Sequence, residues 1–521
     1  MQERALHVLE YDKIRDQIRG FAATRLGQAR IDGMRPLSSP DEADEELAAI
    51  DEALALLYRR GGVPLAGITD IQPHLRKASI GGILSSDELN EIAWFITGGR
   101  RARTAIGSAA ESMDIPRLAA LAEGLFDARQ TELELRQAID EDGFVLDGAS
   151  PELNRIRHQK RAQEARIRER LDQMLRQLQR YLQDPVITVR GDSFCLPVRV
   201  EFKHQVPGVV HDVSASGATV FIEPQEIVQM SARVRALAAD EDREVERILQ
   251  RLSGIVAAVA EPLQENARRL GTLDSWLAKA LWAKREGAER PRLRRDGVWR
   301  LVGARHPLIP REAAVPMDLH LGDDFRMVII TGPNTGGKTV ALKTIGLLTL
   351  LAMSGCFVPA RSATEVSWCD AVFVDIGDEQ SIEQSLSTFS SHMRNIIGML
   401  AQVGAHSLVL LDELGAGTDP AEGAALSMAI LDWLRARGAR VVATTHYAEL
   451  KAYAFREPAA INASVEFDVD TLRPTYRLML GVPGRSNALA IATRLGMPPE
   501  VIEQARHHLR TDDVRVEDMI A

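Results

Sequence analysis

A lysine and a threonine that follow closely spaced glycines carry the clearest chemical signal in this sequence. The segment Thr331 to Thr339 fits the pattern G-x-x-x-x-G-K-[ST], between an apolar run, Met327 to Ile330, and a helix-like stretch. In that context glycines let loop N–H groups converge on an anion at a helix N-terminus. We predict a phosphate-binding loop, rather than a turn that binds nothing, made of Gly332, Pro333, Asn334, Thr335, Gly336, Gly337, Lys338 and Thr339.

The last two loop residues have distinct chemical uses. The ammonium of Lys338 supplies a positive charge for β- and γ-phosphates, and the hydroxyl of Thr339 is a ligand suited to Mg²⁺. The sequence therefore predicts ATP and Mg²⁺ as cofactors.

Two later segments add acid–base groups to the loop. The apolar run Leu408 to Leu411 ends in Asp412 and Glu413, and the run Val441 to Thr445 ends at His446. An acid at the end of a buried strand can hold Mg²⁺, directly or through water, and the next acid can deprotonate an attacking water. We expect Asp412 in the first role, Glu413 in the second, and His446 as a sensor of the γ-phosphate; the alternative for the two acids is solubility alone.

A serine between the loop and the acids is a further candidate. Ser387 opens the stretch S-T-F-S-S-H-M, which is typical of a helix start, whereas the transporter signature L-S-G-G-Q is absent. A helix start offers N–H groups and a hydroxyl to an anion.

Composition bounds the class of protein. With 521 residues the chain is expected to form several domains, and 45% hydrophobic and 26% charged residues are ordinary for globular proteins. A net charge of −10 argues against an overall basic coat for nucleic acid, although it leaves room for local basic surfaces. Three scattered cysteines indicate a reducing compartment. With no signal-peptide pattern and no apolar run long enough to span a bilayer, we expect a cytoplasmic protein without a membrane partner.

Two long helical patterns flank a β-rich segment. Apolar residues recur at helical spacing over residues 151–183 and again from about Gln225 to Leu270. Arginines crowd the first pattern: Arg155, Arg157, Arg161, Arg166, Arg168, Arg170, Arg176 and Arg180. They form either a solvated face paired with Glu164, Glu169 and Asp172 or contacts to nucleic-acid phosphates.

The β-rich segment comprises four short runs separated by turn residues, Val186–Val189, Phe194–Val200, Val209–Val213 and Thr219–Ile222. We expect a small β unit at the end of two antiparallel helices. It serves either to grip something large or as a structural plug.

These observations predict a multidomain α+β protein. Its helical core and long lever helices carry a small β clamp, and an ABC-type α/β P-loop ATPase domain follows. The predicted boundaries are 1–120 for a helical core domain, 121–183 for core and first lever helix, 184–224 for the β clamp, 225–290 for the second lever helix and return to the core, 291–510 for the ATPase domain, and 511–521 for a linker.

The motifs together resemble the MutS family of ATPases. G-P-N-x-G-G-K-[ST], S-T-F before a helix, L-x-D-E-x-G-x-G-T and T-T-H-Y occur in the family's order. The runs Asp375 to Gln380 and Gly208 to Pro224 are similar to the second bacterial paralogue, the type-two MutS endonucleases. The resemblance covers most of the chain and is most specific over residues 327–450.

The resemblance implies a homodimer formed head to tail through the ATPase domains. Ser387 of one subunit would then meet the γ-phosphate held by the other, and hydrolysis by Glu413 would reopen an ATP-closed clamp. The family's aromatic residue that packs on adenine is replaced near Val315, which leaves the adenine contacts open.

Two departures from the family pattern shape the expected function. The mismatch-reading domain is missing, and Phe221-Ile222-Glu223 only imitates its F-x-E triplet. The type-two paralogue normally continues into a C-terminal Smr nuclease domain, so we expect this chain to be truncated before the nuclease.

Three functions remain open at this point. The resemblance implies an ATP-dependent clamp on branched or recombining DNA that suppresses homologous recombination. It also allows a ribosome-binding ATPase that senses collided ribosomes and separates their subunits. A non-enzymatic scaffold stabilised by nucleotide is the third reading, and ATP turnover would exclude it.

Overall fold

The computed structural model describes residues 3–191, 193–332, 337–377, 388–468, 473–484, 488–494 and 496–508. Its backbone forms two compact units. The first comprises Met1–Pro64, Arg103–Gly124 and Arg269–Ala521, and the second comprises Leu65–Ala102 and Leu125–Arg268. Among the described helices, none is both long enough and apolar enough to cross a membrane.

Helices dominate the part of the chain before residue 287. The α-helices there are α1 (Glu3–Val8), α2 (Tyr11–Arg19), α3 (Arg25–Asp32), α4 (Pro40–Arg60), α5 (Gln72–Ser79), α6 (Ser86–Ala110), α7 (Pro116–Glu123), α8 (Arg129–Ala138), α9 (Pro151–Leu178), α10 (Gln225–Ala258) and α11 (Ala260–Glu286). Helix α4 begins at Pro40, because the Ser39 hydroxyl accepts a hydrogen bond from the Glu42 N–H and proline suits the first turn of a helix.

Helices α9 and α10 form the antiparallel pair predicted for the second unit. Side-chain bonds join Ser150 to Glu244, Arg157 to Glu241 and Arg170 to Glu226, so residue numbers rise along one helix as they fall along the other. The second helix is shorter than predicted, because α10 ends at Ala258 and α11 begins at Ala260. Pro262 explains the break: a proline ring in a continuous helix would clash with the carbonyl of residue 258.

A four-stranded antiparallel sheet joins these two helices in the chain. Its strands are β1 (Thr188–Arg190), β2 (Ser193–Arg199), β3 (Gly208–Val213) and β4 (Thr219–Pro224), in the order β1-β2-β4-β3. Leu196, Val198, Val220 and Ile222 are buried in one cluster with Ile167 of α9. The β-rich segment is therefore a folded unit anchored on the helix pair.

The rest of the first unit contains two further sheets. Its strands are β5 (Arg292–Arg294), β6 (Trp299–Ala304), β7 (Met317–Leu321), β8 (Met327–Thr331), β9 (Glu365–Ser367), β10 (Ala371–Asp375), β11 (Ser407–Leu411), β12 (Arg440–Thr445), β13 (Ala460–Asp468) and β14 (Arg473–Leu480). Its helices are α12 (Lys338–Met353), α13 (Thr388–Leu400), α14 (Pro420–Ala436), α15 (Ala448–Arg456), α16 (Ala488–Arg494) and α17 (Pro499–His508). The smaller sheet has the order β5-β9-β6-β7, and the larger has the order β10-β11-β12-β8-β13-β14.

The larger sheet is parallel except for β14 at its edge. Every residue of β8 and β11 is buried, which explains why both read as continuous apolar runs rather than alternating ones. Thr445 of β12 lies opposite Thr331 of β8, so these two strands end level with each other. Segments that leave the carboxyl ends of neighbouring parallel strands meet at one edge of the sheet, where ligand sites usually form.

The mixed α/β class and the presence of several sheets confirm the coarse prediction of the fold. The domain boundaries drawn from the sequence stay predictions, because the two compact units divide the chain by a different criterion.

Candidate active site

The glycine-rich loop connects β8 to α12, as predicted. Gly332 and Gly337 have φ values of 135° and 90°, in the region that a Cβ disfavours. The predicted loop residues Pro333, Asn334, Thr335 and Gly336 lie outside the described part of the chain. Lys338 is the first residue of α12, so it stands at the helix end that favours anions.

Lys338 is held inside the protein rather than projecting into solvent. Its side chain is buried, and its ammonium donates to the carbonyl oxygen of Gly332 at 2.7 Å and lies 3.0 Å from Nε2 of His446. Burial lowers the pKa of Lys338 to about 8, although Glu413 and Asp412 oppose that shift. The Lys338 ammonium can therefore give up its hydrogen bonds to the Gly332 carbonyl and the His446 imidazole and bind the oxygen atoms of a polyanion instead.

Thr339 and Asp412 form a direct pair. The threonine hydroxyl donates to Oδ2 of Asp412 at 2.7 Å, although the two residues lie on α12 and at the end of β11. Asp412 is buried. A hydroxyl and a carboxylate side by side are the hard oxygen donors that Mg²⁺ prefers, so the residues present fit this ion.

Glu413 occupies an unusual backbone conformation. Its φ is +49°, and its N–H donates to the hydroxyl of Thr444 at 2.8 Å, while the next N–H, of Leu414, donates to the carbonyl oxygen of Thr444 at 2.9 Å. The Glu413 side chain is only partly buried, with Oε1 3.8 Å from Nε2 of His446. Left-handed non-glycine residues cluster at functional sites, where surrounding bonds hold them.

His446 completes the group at the end of β12. Burial, followed by the charge of Lys338, lowers the pKa of His446, so the neutral imidazole is favoured. A neutral ring can accept from the Lys338 ammonium at Nε2 when Nδ1 carries the proton. The structure thus brings Lys338, Thr339, Asp412, Glu413 and His446 together, as the sequence analysis expects.

A cavity of about 370 Å³ adjoins the loop on the side of α12. Its lining includes Val315, Gly337, Val340 and Tyr476. Tyr476 has φ +59°, and its Cδ1 lies 2.7 Å from where a Cβ on Gly337 would stand, so Gly337 must be a glycine for the ring to pack there. Val315 is therefore next to the loop, as expected, and Tyr476 is an aromatic neighbour that the sequence analysis missed.

Ser387 lies outside the described residues, so its contacts are not given. Helix α13 begins at the next residue, Thr388, in agreement with the predicted helix start. Farther along this helix, Nδ1 of His392 lies 2.8 Å from Oδ2 of Asp375, and the Asn395 amide donates to Oδ1 at 2.7 Å. Because Asp375 ends β10 and its carbonyl accepts from the Asp412 N–H, α13 is tied to the strand beside the acids.

Two other residues near the site were not found from the sequence. The Thr444 hydroxyl donates to the Asp412 carboxylate and accepts from the backbone N–H of Glu413, and the Tyr447 hydroxyl donates to the carbonyl of Gly415 at 2.7 Å. Both lie beside His446 in the run T-T-H-Y, which is the signal that could have pointed to them.

The arginines of α9 fall into two groups. Toward the start of the helix, Arg155 pairs with Glu152, Arg157 with Asp147 and Glu241, and Arg161 with Asp147. Farther along, Arg166, Arg168 and Arg176 are exposed and form no ion pair with any described residue. Arg170, between them, pairs with Glu226 of α10. The acidic partners found are thus not the predicted Glu164, Glu169 and Asp172, and three arginines carry charge that no described carboxylate neutralises.

The glycine-rich loop, the threonine–aspartate pair and the glutamate–histidine pair at one edge of a parallel sheet define a nucleotide-binding type of α/β site. Comparison with known proteins narrows this class. Residues 328–511 match the family model for MutS domain V.

Curated relatives match along the whole chain. It is 49% identical over 524 residues to a protein named Endonuclease MutS2 from Geobacillus thermodenitrificans, covering 100% of this chain and 67% of the relative. The Shouchella clausii protein of the same name is 49% identical over 523 residues, covering 100% and 66%. The Bacillus subtilis protein named Putative endonuclease MutS2 is 48% identical over 524 residues, covering 100% and 67%. The chain belongs to the MutS2 branch of the MutS family and spans about two thirds of the length of these relatives.

Proposed function

We propose that this chain is an ATP hydrolase that uses Mg²⁺ and acts on nucleic acid. The observation that carries the ATPase part is that Lys338, Thr339, Asp412, Glu413 and His446 meet at the ends of three strands. Lys338 Nζ lies 3.0 Å from His446 Nε2, Thr339 donates to Asp412 at 2.7 Å, and Glu413 Oε1 lies 3.8 Å from His446 Nε2. Separate strands have no structural need to bring an ammonium, two carboxylates and an imidazole together.

The side chains divide the chemistry among them. When ATP binds, the Lys338 ammonium replaces its hydrogen bonds to Gly332 and His446 with hydrogen bonds to phosphate oxygens. Its positive charge then lies where negative charge develops during phosphoryl transfer. Thr339 and Asp412 would hold Mg²⁺, and the ion would supply positive charge that neutralises the phosphates. Glu413 orients the attacking water and accepts its proton. His446, released from Lys338, is then available to contact the γ-phosphate.

The cavity beside Gly337 suits the nucleotide base. Tyr476 offers an aromatic edge or face, and Val315 and Val340 offer apolar contacts, within about 370 Å³. Tyr476 then packs against adenine in place of the aromatic residue that is absent near Val315.

We also propose, from the family resemblance, a dimer in which Ser387 of one chain reaches the nucleotide of another. Helix α13, which follows Ser387, is fixed to Asp375 beside the acids, and the Cβ of Phe389 near its start lies 3.3 Å from a Cβ built on Gly417, four residues after Glu413. The start of α13 and the segment after Glu413 are therefore neighbours within the chain, so Ser387 precedes a helix that starts close to the acids.

Two features support a role on nucleic acid. The curated relatives are named endonucleases, and α9 carries exposed arginines without acidic partners among the described residues. Within this class we favour branched or recombining DNA, with suppression of homologous recombination as the outcome. The ribosome reading stays a prediction from the sequence.

Phosphate release from ATP tests the enzymatic part. We expect turnover that requires Mg²⁺ and falls at least about 100-fold in Lys338→Met, equal to about 2.7 kcal/mol in the barrier. Lys343→Met on the same helix, whose partner is Glu10 at 2.9 Å, is the matched control and should keep turnover. No turnover by the unmodified chain, or equal loss in both variants, would contradict the proposal.

Binding assays with four-way junctions, duplexes, single strands and ribosomes over a salt series then show which of these targets the chain prefers.

A further inference from the structure

The buried hydroxyl of Thr444 bonds to the side chain of Asp412 and to the backbone of Glu413, the two acidic residues of the proposed ATPase site. The hydroxyl of Thr444 on β12 donates to Oδ1 of Asp412 at 2.5 Å, and the hydroxyl oxygen Oγ1 of Thr444 accepts from the backbone N–H of Glu413 at 2.8 Å. The hydroxyl therefore uses its one proton and one of its lone pairs on the two residues that the mechanism needs. Thr444 itself is 0% exposed, so water does not replace these partners.

The two bonds act on different parts of the site. On Asp412, Thr444 engages Oδ1 while Thr339 engages Oδ2, so the carboxylate plane is fixed by hydroxyls on both sides. This arrangement directs Oδ2, and not Oδ1, toward the loop and the ion that Thr339 would share. Carboxylates that hold a metal are usually oriented by such outer partners.

On Glu413 the bond acts through the backbone. A residue with φ +49° costs free energy unless surrounding contacts fix it, and Thr444 supplies two of those contacts, with its hydroxyl to Glu413 and its carbonyl to Leu414. The backbone conformation at residue 413 sets the direction in which the glutamate side chain leaves the main chain. Thr444 thus influences the direction of the general base without touching its carboxylate.

The residue type also indicates a use for the hydroxyl. The two residues before it on the strand, Val442 and Ala443, are apolar and buried, and Thr445 after it is a second buried threonine. A valine at 444 would have nearly the shape of threonine. Burying a hydroxyl is unfavourable unless it is bonded, so this position needs the hydroxyl rather than the volume.

We propose that Thr444 is a positioning residue for ATP hydrolysis, which sets the orientation of both Asp412 and Glu413 through one hydroxyl. The proposal rests on the proposed ATPase function. It assigns Thr444 no contact with nucleotide or water: the residue acts only through the two acids.

Valine and serine substitutions separate the hydroxyl from the rest of the side chain. In Thr444→Val we expect kcat for ATP to fall about 10- to 100-fold, the range typical of partners that orient metal ligands, with KM for ATP changed less than about threefold. The Mg²⁺ concentration for half-maximal turnover should rise. Thr444→Ser keeps the hydroxyl and should recover most of kcat.

Thr349→Val is the matched control for folding. Thr349 is also 0% exposed, and its hydroxyl also donates once, to Ile345 at 2.8 Å, and accepts once, from Trp299 at 3.1 Å, on α12 away from the acids. We expect similar shifts in the thermal midpoint for both valine variants but loss of kcat only in Thr444→Val.

Equal kcat in Thr444→Val and the unmodified chain, or a Thr444→Ser variant as impaired as the valine one, would overturn the positioning role alone. Absence of turnover in the unmodified chain would overturn the proposed function, and the role of Thr444 with it.

Discussion

Thr339 Oγ1 lies 2.7 Å from Asp412 Oδ2, and 73 positions of the chain separate these two residues. The bond joins the first turn of α12 to the end of β11, so the start of this helix and the acid at the end of this strand lie in one site. The same pair of oxygen atoms provides the ligands expected for Mg²⁺.

This pairing predicts a coupled response to substitution. Thr339→Val and Asp412→Asn should each raise the Mg²⁺ concentration needed for ATP turnover by at least about tenfold. The double variant should be little worse than the poorer single variant, because residues that share one ligand site are not additive. A Mg²⁺ titration of turnover for the three variants measures this, and strictly additive losses would show that the two residues act separately.

The lowered pKa of Lys338 predicts how nucleotide binding depends on pH. With a pKa of about 8 in the free protein, the ammonium that attracts phosphate is present below pH 8 and is lost as pH rises above it. Affinity for ATP should therefore weaken by about tenfold per pH unit between about pH 8.5 and 9.5. Calorimetric titration at several pH values measures this slope. Lys338→Met should bind weakly with a flat profile, and a flat profile in the unmodified chain would contradict the assignment.

The ion pair of the buried Lys279 with the partly buried Glu46, at the other end of α12, predicts a large effect on stability. Lys279 Nζ lies 3.0 Å from Oε2 of Glu46 and donates to the carbonyl of Ser354, the residue after α12. Glu46→Gln leaves the buried ammonium without its counter-charge, so the free energy of unfolding should fall by about 3 kcal/mol. Urea unfolding measures the change, and Glu45→Gln, next to it on the exposed side of α4, is the control. A double variant with Lys279→Met should recover part of the loss; no recovery would argue against charge as the cause.

The Lys279–Glu46 pair also predicts how the stability of the fold depends on acid pH. Burial disfavours the Glu46 carboxylate, but the charge and hydrogen bond of Lys279 outweigh burial and hold the pKa of Glu46 below its usual value of 4.5. A lowered folded-state pKa means that this contribution is complete above pH 4.5 and is lost as pH falls further.

The exposed arginines of α9 that pair with no carboxylate in the described part of the chain predict a salt-dependent contact with nucleic acid. Arg168 and Arg176 are eight positions apart, about two helical turns, and both are exposed. The double variant Arg168→Gln/Arg176→Gln should reduce the slope of log affinity against log salt by about 1.8 for duplex DNA, from about 0.9 per phosphate contact. Arg155→Gln, whose charge Glu152 already neutralises, should change the slope far less. Equal effects of the two sets would show that this helix does not contact the backbone.

The parts of the site that could be predicted from the sequence are those made of consecutive residues. The loop with its flanking strand and helix, the Asp412–Glu413 pair after β11 and His446 after β12 each combine a local pattern with a chemical residue type. Strand ends in a parallel sheet meet at one edge, so local patterns sufficed to place these residues together.

The remaining features depend on register and distant packing. Thr444 bonds to Asp412 because β11 and β12 pair in one particular register, with Leu411 opposite Ala443. Tyr476 reaches Gly337 only through the order of strands in the sheet, and 233 positions separate Lys279 from Glu46. The break between α10 and α11 was visible as Pro262, but helical periodicity continues past it and hides the interruption.

The central claim is that Glu413 performs the chemical step in a site that Lys338 and Thr339 build for ATP. The most direct measurement compares ATP binding with single-turnover phosphate release in the unmodified chain and in Glu413→Gln. We predict the same ATP affinity within about threefold and a rate of phosphate release at least about 100-fold lower in the variant. Release at an unchanged rate, or loss of ATP binding together with release, would contradict the claim.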